Sequence, residues 1–296
     1  MQLSPADLEI LSTCAIEAAT KAGQMIAAYP HRDLQVQHKA GGNTIASQVL
    51  TEVDLRSEAI IVKELQPTCA CYDLALLTEE SEDDKNRFHK DYFWCVDPMD
   101  GTLSFIESQP GYAVSIALVS REGEALIGVV YDPVTQVLYS AVKGQKVQRQ
   151  GKDWLVHAVD SHSVLTLICD RGFMSNEKFT EVTRELDGVV RGLGYAGLTT
   201  MERNGAVLNA CAVLEQPPAV YFKFPKPQAG GGSLWDFAAT AAIFQQLGFS
   251  ACDFYGERLD LNRKDSTFMN HRGVIYVMDS RLLKPVRDLL TLYKGS

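Results

Sequence analysis

Basic residues are scarce in this chain: 28 Lys and Arg stand against 37 Asp and Glu, for a net charge of −9. Nonspecific nucleic-acid binding needs a cationic surface that releases counterions, so a nucleic-acid polymer is not an expected partner. Long apolar runs are missing too. None reaches the roughly 20 residues of a membrane-spanning helix, and Met1-Gln2-Leu3-Ser4-Pro5 offers no basic region followed by an apolar core. The expectations are a cytoplasmic protein and no membrane partner. Histidine is sparse at six residues, none in a recognisable ligand pair. The seven cysteines are odd in number and fall mostly in apolar runs, and Cys69-Ala70-Cys71 has neither zinc nor redox spacing, so they read as reduced core residues. Gly230-Gly231-Gly232 lacks the Lys and Ser/Thr of a P-loop and reads as a connection. What remains is globular: 296 residues, 46% hydrophobic and 22% charged, enough for one large domain or two smaller ones.

Against that background one hexapeptide stands out. Asp97-Pro98-Met99-Asp100-Gly101-Thr102 follows the apolar run Tyr92-Phe93-Trp94-Cys95-Val96, so a buried strand delivers two carboxylates to a glycine turn. Oxygen ligands of this kind suit Mg²⁺, which binds through a few carboxylates together with substrate phosphate oxygens. Phosphoaspartate enzymes place their nucleophile two residues before the second acid, where this chain has Pro98. The spacing therefore points to a metal-activated water and not to a covalent intermediate. A plain strand-end turn is the alternative, since Pro, Asp and Gly all form turns.

Further acids follow similar contexts. Glu79 and Glu80 come directly after Leu74-Ala75-Leu76-Leu77-Thr78, a second strand ending in carboxylates, and if the strand continues Glu80 faces away from Glu79. Asp54 and Asp236 each open an amphipathic segment. Each also lies three residues after Thr51 or Ser233, the spacing of a capping box, so both have a structural reading as helix caps. Ser4 and Asp7 repeat that spacing and read as a cap alone.

Periodicity predicts helices over about 5–29 and 54–65, and antiparallel strands over 112–154. Beyond residue 160, extended segments at 164–169 and 219–224 alternate with helices at 176–186, 204–215 and 235–247. The fold class is α/β: a mixed α+β half over 1–155, carrying the metal motif, and an α/β half over 156–296 that completes the site.

The ordered set Asp54, Glu79-Glu80, Asp97-Pro98-Met99-Asp100-Gly101-Thr102 with Phe105, and Trp235-Asp236 with Ala238-Ala239 resembles the inositol monophosphatase superfamily of Mg²⁺-dependent, lithium-sensitive phosphomonoesterases. The resemblance covers nearly the whole chain. It implies a layered αβαβα sandwich, a homodimer, and two or three Mg²⁺ ions. Glu79, Asp97 and the Met99 carbonyl would hold one ion, and Asp97, Asp100 and Asp236 a second. Asp54, Glu79 and Thr102 would orient and deprotonate the attacking water, while Gly101, Thr102, Gly205, Lys223 and Asp236 would contact the phosphate or the rest of a small phosphorylated substrate.

Tyr221-Phe222-Lys223-Phe224-Pro225 resembles the Tyr-x-Arg/Lys-x-Pro stretch of the 3'(2'),5'-bisphosphate nucleotidase branch, where a basic residue suits a second phosphate. In contrast, Gly205-Ala206-Val207-Leu208-Asn209 departs from that branch's Gly-Ser-Ser-x-Lys pattern and leaves Asn209 where a Lys is expected. A solvated strand-end lysine is the other reading of Lys223, and Lys226 stands nearby as a possible substitute. Inositol monophosphate and other sugar phosphates remain alternative substrates. A catalytically silent anion-binding relative is the alternative from a different class.

Overall fold

In the first half, apolar side chains alternate along the strands between two different cores, which fixes a sheet covered on both faces. The structure, a computed structural model, describes residues 2–30, 36–38, 49–156, 162–203 and 205–294. Helix α1 (Pro5–Ala28) is closed by Ser4 and Asp7 in a capping box. The paired strands β1 (Val36–His38) and β2 (Val49–Thr51) lead into α2 (Glu52–Tyr72), which runs through Pro67 and ends at Asp73 in a left-handed conformation. Strand β3 (Ala75–Thr78) pairs in parallel with β4 (Tyr92–Asp100). After the short α3 (Thr102–Ile106), β5 (Ala113–Ser120), β6 (Ala125–Asp132), β7 (Val137–Val142), β8 (Gln148–Arg149) and β9 (Lys152–Asp153) add an antiparallel meander, giving a seven-stranded sheet in the order β3 to β9.

The second half builds its own sheet. Strand β10 (Val164–Asp170) is followed by α4 (Arg171–Met174), α5 (Phe179–Gly192), β11 (Gly197–Arg203), α6 (Ala206–Glu215), β12 (Ala219–Lys223), α7 (Leu234–Gln246), β13 (Ser250–Cys252), β14 (Val274–Val277) and α8 (Leu283–Lys294). The sheet order is β11-β10-β12-β14-β13, with β10 parallel to both neighbours. The helix expected from residue 204 begins at Ala206, and Asn204 lies outside the described residues. Strands β11 and β14 and helix α8 go beyond the elements that periodicity predicted.

Three apolar clusters define five layers. Trp94, Val96, Ile116 and Leu118 pack toward α1 and α2, whereas their strand neighbours Phe93, Cys95, Ala117 and Val119 face α6 and α7. On the second sheet Ile168, Tyr221 and Tyr276 face α6 and α7 from the other side, while Leu167, Phe222 and Ile275 pack on α5 and α8. The period of two along each strand produces this division. The result is the αβαβα sandwich, with α6 and α7 buried between the sheets. Among the described residues no helix is long and apolar enough to cross a membrane.

Candidate active site

Asp97 and Asp100 are three residues apart on β4, a separation that in a regular strand would put them on opposite faces. Pairing with β5 shifts between Asp97, opposite Ser115, and Asp100, opposite Ala113. The extra residue at Pro98-Met99 is a bulge, and Pro98 has no amide to lose to the ladder. The bulge reverses the alternation: Met99 joins the α1/α2 core, and Asp100 returns to the inter-sheet face with Asp97. One carboxylate oxygen each from Asp97, Asp100 and Asp236 then lies within 4.8 Å of the others.

Gly101 turns the chain out of β4 at φ 87°, and a Cβ there would come within 2.2 Å of the Gly111 carbonyl. Gly205 is as constrained: at φ 81° its Cβ would lie 2.4 Å from the Gly111 carbonyl and 2.8 Å from Asp100 Oδ2. Only glycine lets the start of α6 come this close to the metal motif. Asp100 Oδ2 accepts the Val207 amide at 2.8 Å, so this acid caps α6 from another layer.

The cap and functional readings of the other acids prove compatible. Asp54 Oδ2 accepts from the Thr51 amide at 2.7 Å and its hydroxyl at 2.6 Å, while Oδ1 accepts from the Thr102 hydroxyl at 3.1 Å. The Thr102 hydroxyl also lies 3.2 Å from the Met99 carbonyl. Asp236 closes the box with Ser233 at the start of α7 and still joins the carboxylate cluster. Helix α2 fixes the rest of the motif. Ser57 Oγ donates to the Pro98 carbonyl at 2.7 Å, and Glu58 accepts from Thr78 and Ser81 on either side of Glu79-Glu80.

Crowding acids in a dry site has an electrostatic cost. Burial, then Glu79, Asp100 and Asp236, push Asp97 well above the usual carboxylate range. Burial and Asp236 do the same to Asp100. Asp236 is raised to about 6 by burial and Glu79, and Asp54 to about 6 chiefly by burial. Asp97 Oδ1 accepts the Met99 amide at 2.9 Å, but its buried Oδ2 has no hydrogen-bond partner among the described residues. An orphaned carboxylate oxygen beside two more carboxylates fits a hard divalent cation such as Mg²⁺.

These acids line a cavity of about 840 Å³, near the upper end of the roughly 300–1,000 Å³ usual for ligand sites. Glu79, Gly101, Thr102, Gly205 and Lys223 line it too, so the cavity gathers every expected site residue except Asp54, which reaches it through Thr102. Glu80 does not line it, although its charge acts on Asp97. Lys223 is not a solvated strand-end lysine: its side chain is 20% exposed, and its ammonium lies 3.1 Å from Asp170 Oδ2. Burial opposes its charge, but Asp170 and Asp236 hold its pKa above the ordinary value.

Asp170, Arg171, Ser57 and Glu58 were not among the expected residues. Asp170 had a readable signal, since it ends the apolar run of β10 as Asp97 ends that of β4. The aromatic wall formed by Phe173, Phe222, Phe224 and Tyr293, in which Phe224 and Tyr293 stack at 4.2 Å, had none. It depends on α4, β12 and α8 meeting in space.

Residues 7–289 match the model of the inositol monophosphatase family. The 3'(2'),5'-bisphosphate nucleotidase CysQ of Shigella flexneri is 30% identical over 223 residues, covering 75% of this chain and 82% of the relative. The Nus factor SuhB of Escherichia coli K12 is 29% identical over 257 residues, covering 82% and 84%. Among solved structures, the extragenic suppressor protein SuhB of Bartonella henselae superposes with a TM-score of 0.70 at 23% identity, over 97% of this chain and all 100% of that one. CysQ of Bacteroides thetaiotaomicron superposes at 0.65 and 25% identity, over 91% and 97%. The match of sequence model, relatives and layered fold along almost the full length shows that the chain belongs to the inositol monophosphatase family.

Proposed function

We propose that the protein is a Mg²⁺-dependent phosphomonoester hydrolase whose substrate is a small phosphorylated metabolite, a 3'(2'),5'-bisphosphate nucleotide. The observation that carries the hydrolase reading is the cluster of Asp97, Asp100 and Asp236, with the partnerless Asp97 Oδ2 in the cavity wall. Glu79, Asp97 and the Met99 carbonyl are assigned to one Mg²⁺, and Asp97, Asp100 and Asp236 to another. When bound, Mg²⁺ supplies a Lewis acid that offsets phosphate charge and lowers the pKa of water.

The chain's own groups orient and move protons. Asp54, at about 6, is ionised at neutral pH and close to the value that suits a general base. By accepting the Thr102 proton it leaves the Thr102 oxygen lone pairs free to take a proton from a water in the cavity. Glu79 is the alternative base. Gly101 and Gly205 keep the backbone low enough for a phosphate to approach the acids, and the halves 1–155 and 156–296 each supply part of the site. A homodimer is proposed from the resemblance.

The nucleotide reading rests on Tyr221-Phe222-Lys223-Phe224-Pro225, on similarity to a bisphosphate nucleotidase, and on an aromatic wall that suits a base more than a polyol. Comparison of phosphate release from adenosine 3',5'-bisphosphate, inositol 1-phosphate and sugar phosphates tests it. A kcat/KM highest for inositol 1-phosphate would replace it with the inositol monophosphatase reading.

A further inference from the structure

The cavity holds three cations, and two of them are already matched. Arg171 makes a bidentate pair with Glu107 at 2.9 and 2.7 Å. Lys223 pairs with Asp170, whose other oxygen accepts from Asn209 Nδ2 at 2.6 Å and lies 3.4 Å from the Tyr221 hydroxyl. Parallel pairing of β10 with β12 puts Asp170 and Lys223 side by side at the two strand ends. Asn209 is buried and neutral, so it contributes a hydrogen bond and no charge, and Lys223 is the cation that offsets Asp170. An anion brought to Lys223 would meet the Asp170 carboxylate as well.

Lys226 differs. Its backbone is clamped from both directions by Asn270, through Lys226 N to the Asn270 carbonyl at 2.8 Å and Asn270 Nδ2 to the Lys226 carbonyl at 3.0 Å. Its half-buried ammonium has no ion pair or hydrogen bond among the described residues, and burial and Lys223 pull its pKa below the ordinary value. It lies against the glycine loop: a Cβ on Gly231 would be 3.0 Å from Lys226 Cε and 3.5 Å from Nζ. A Cβ on the next residue, Gly232, would be 3.3 Å from Asp236 Oδ2. One peptide of this loop therefore separates the unmatched cation from the carboxylate cluster.

We propose that Lys226, and not Lys223, receives the second anionic group of the substrate, while Lys223 serves as the counter-charge of Asp170. This assignment rests on the phosphatase reading above and names the residue that selects a bisphosphate within it. Substrates sharing one nucleoside isolate the second phosphate: adenosine 3',5'-bisphosphate and adenosine 3'-monophosphate, both assayed with Mg²⁺. The quantity read is the ratio of their kcat/KM values. Lys226→Ala should lower that ratio about ten- to a hundredfold, the loss expected of one charge-assisted hydrogen bond, and Lys226→Arg should restore most of it. The double variant Asp170→Asn/Lys223→Ala removes the other pair as a unit, leaves no carboxylate unpartnered, and should keep the ratio within about threefold, too small for a lost charged contact. A ratio lost in the double variant and kept in Lys226→Ala, or a wild-type ratio near one, would overturn the assignment with the hydrolase reading intact. No turnover of either nucleotide by the wild type would remove the nucleotidase reading, and the assignment with it.

Discussion

Asp54 holds Thr51 with one carboxylate oxygen and the Thr102 hydroxyl, at 3.1 Å, with the other. A single side chain thus ties the start of α2 to the turn that follows β4. Asp54→Asn keeps an N-cap residue, so stability should change little. The loss of the base should lower kcat by about a hundredfold or more. Steady-state kinetics with a parallel Mg²⁺ titration check this, and an unchanged kcat would leave Glu79 as the base.

Asp97→Asn should abolish the Mg²⁺-dependent rise in Tm, because this residue is assigned to both ions. It should also raise the Tm of the metal-free protein by a few degrees, since it removes the acid most opposed by burial and by Glu79, Asp100 and Asp236. Differential scanning calorimetry with EDTA and with Mg²⁺ measures both shifts.

The raised acids make a pH prediction for the metal-free protein. Asp54 and Asp236 titrate at about 6 in the folded chain against an ordinary 3.8. Their folded pKa lies above the unfolded one, so the folded state holds the extra protons. Their contribution is fully present below about pH 4 and is lost as pH rises through about 6, on the order of 3 kcal/mol for Asp54. Urea unfolding in EDTA should give a lower midpoint at about pH 7.5 than at about pH 5. Mg²⁺ should flatten or reverse that slope, because the cation replaces the protons.

Ser57→Ala removes the donor to the Pro98 carbonyl, which holds the bulge in place. Leaving that buried carbonyl unsatisfied should cost roughly 1–3 kcal/mol. Mg²⁺ affinity should fall as well, since Asp97 and Asp100 flank the bulge. A stability loss without any change in Mg²⁺ affinity would make Ser57 a general packing residue.

The chemistry of the site was legible where consecutive residues carry it. Asp97 to Thr102 announce themselves because an apolar strand, two acids and a glycine turn are contiguous. The capping boxes at Asp54 and Asp236 were equally readable, and the uncertainty between cap and ligand vanishes once each carboxylate is seen to use its two oxygens for different tasks. Strand β11 was hidden because Leu198-Thr199-Thr200-Met201-Glu202-Arg203 is an edge strand with little apolar burial. Helix α2 was expected to end near residue 65, before Pro67, whose ring ordinarily breaks a helix, yet packing of Ile61 and Leu65 into the α1 core carries it to Tyr72. The Lys223–Asp170 pair could not be read at all, since it joins residues 53 positions apart through a parallel register that no local pattern encodes.

Phosphate release measured as Mg²⁺ is titrated into the metal-free protein, for the wild type and Asp97→Asn side by side, tests the central claim most directly. The acid cluster predicts release from a phosphomonoester that rises with Mg²⁺ occupancy in the wild type and is absent from the variant at the same concentrations. Release that persists in EDTA would contradict a metal-dependent hydrolase. Mg²⁺ binding without release from any nucleotide, inositol or sugar phosphate would contradict the hydrolase itself and leave a protein that binds anions without cleaving them.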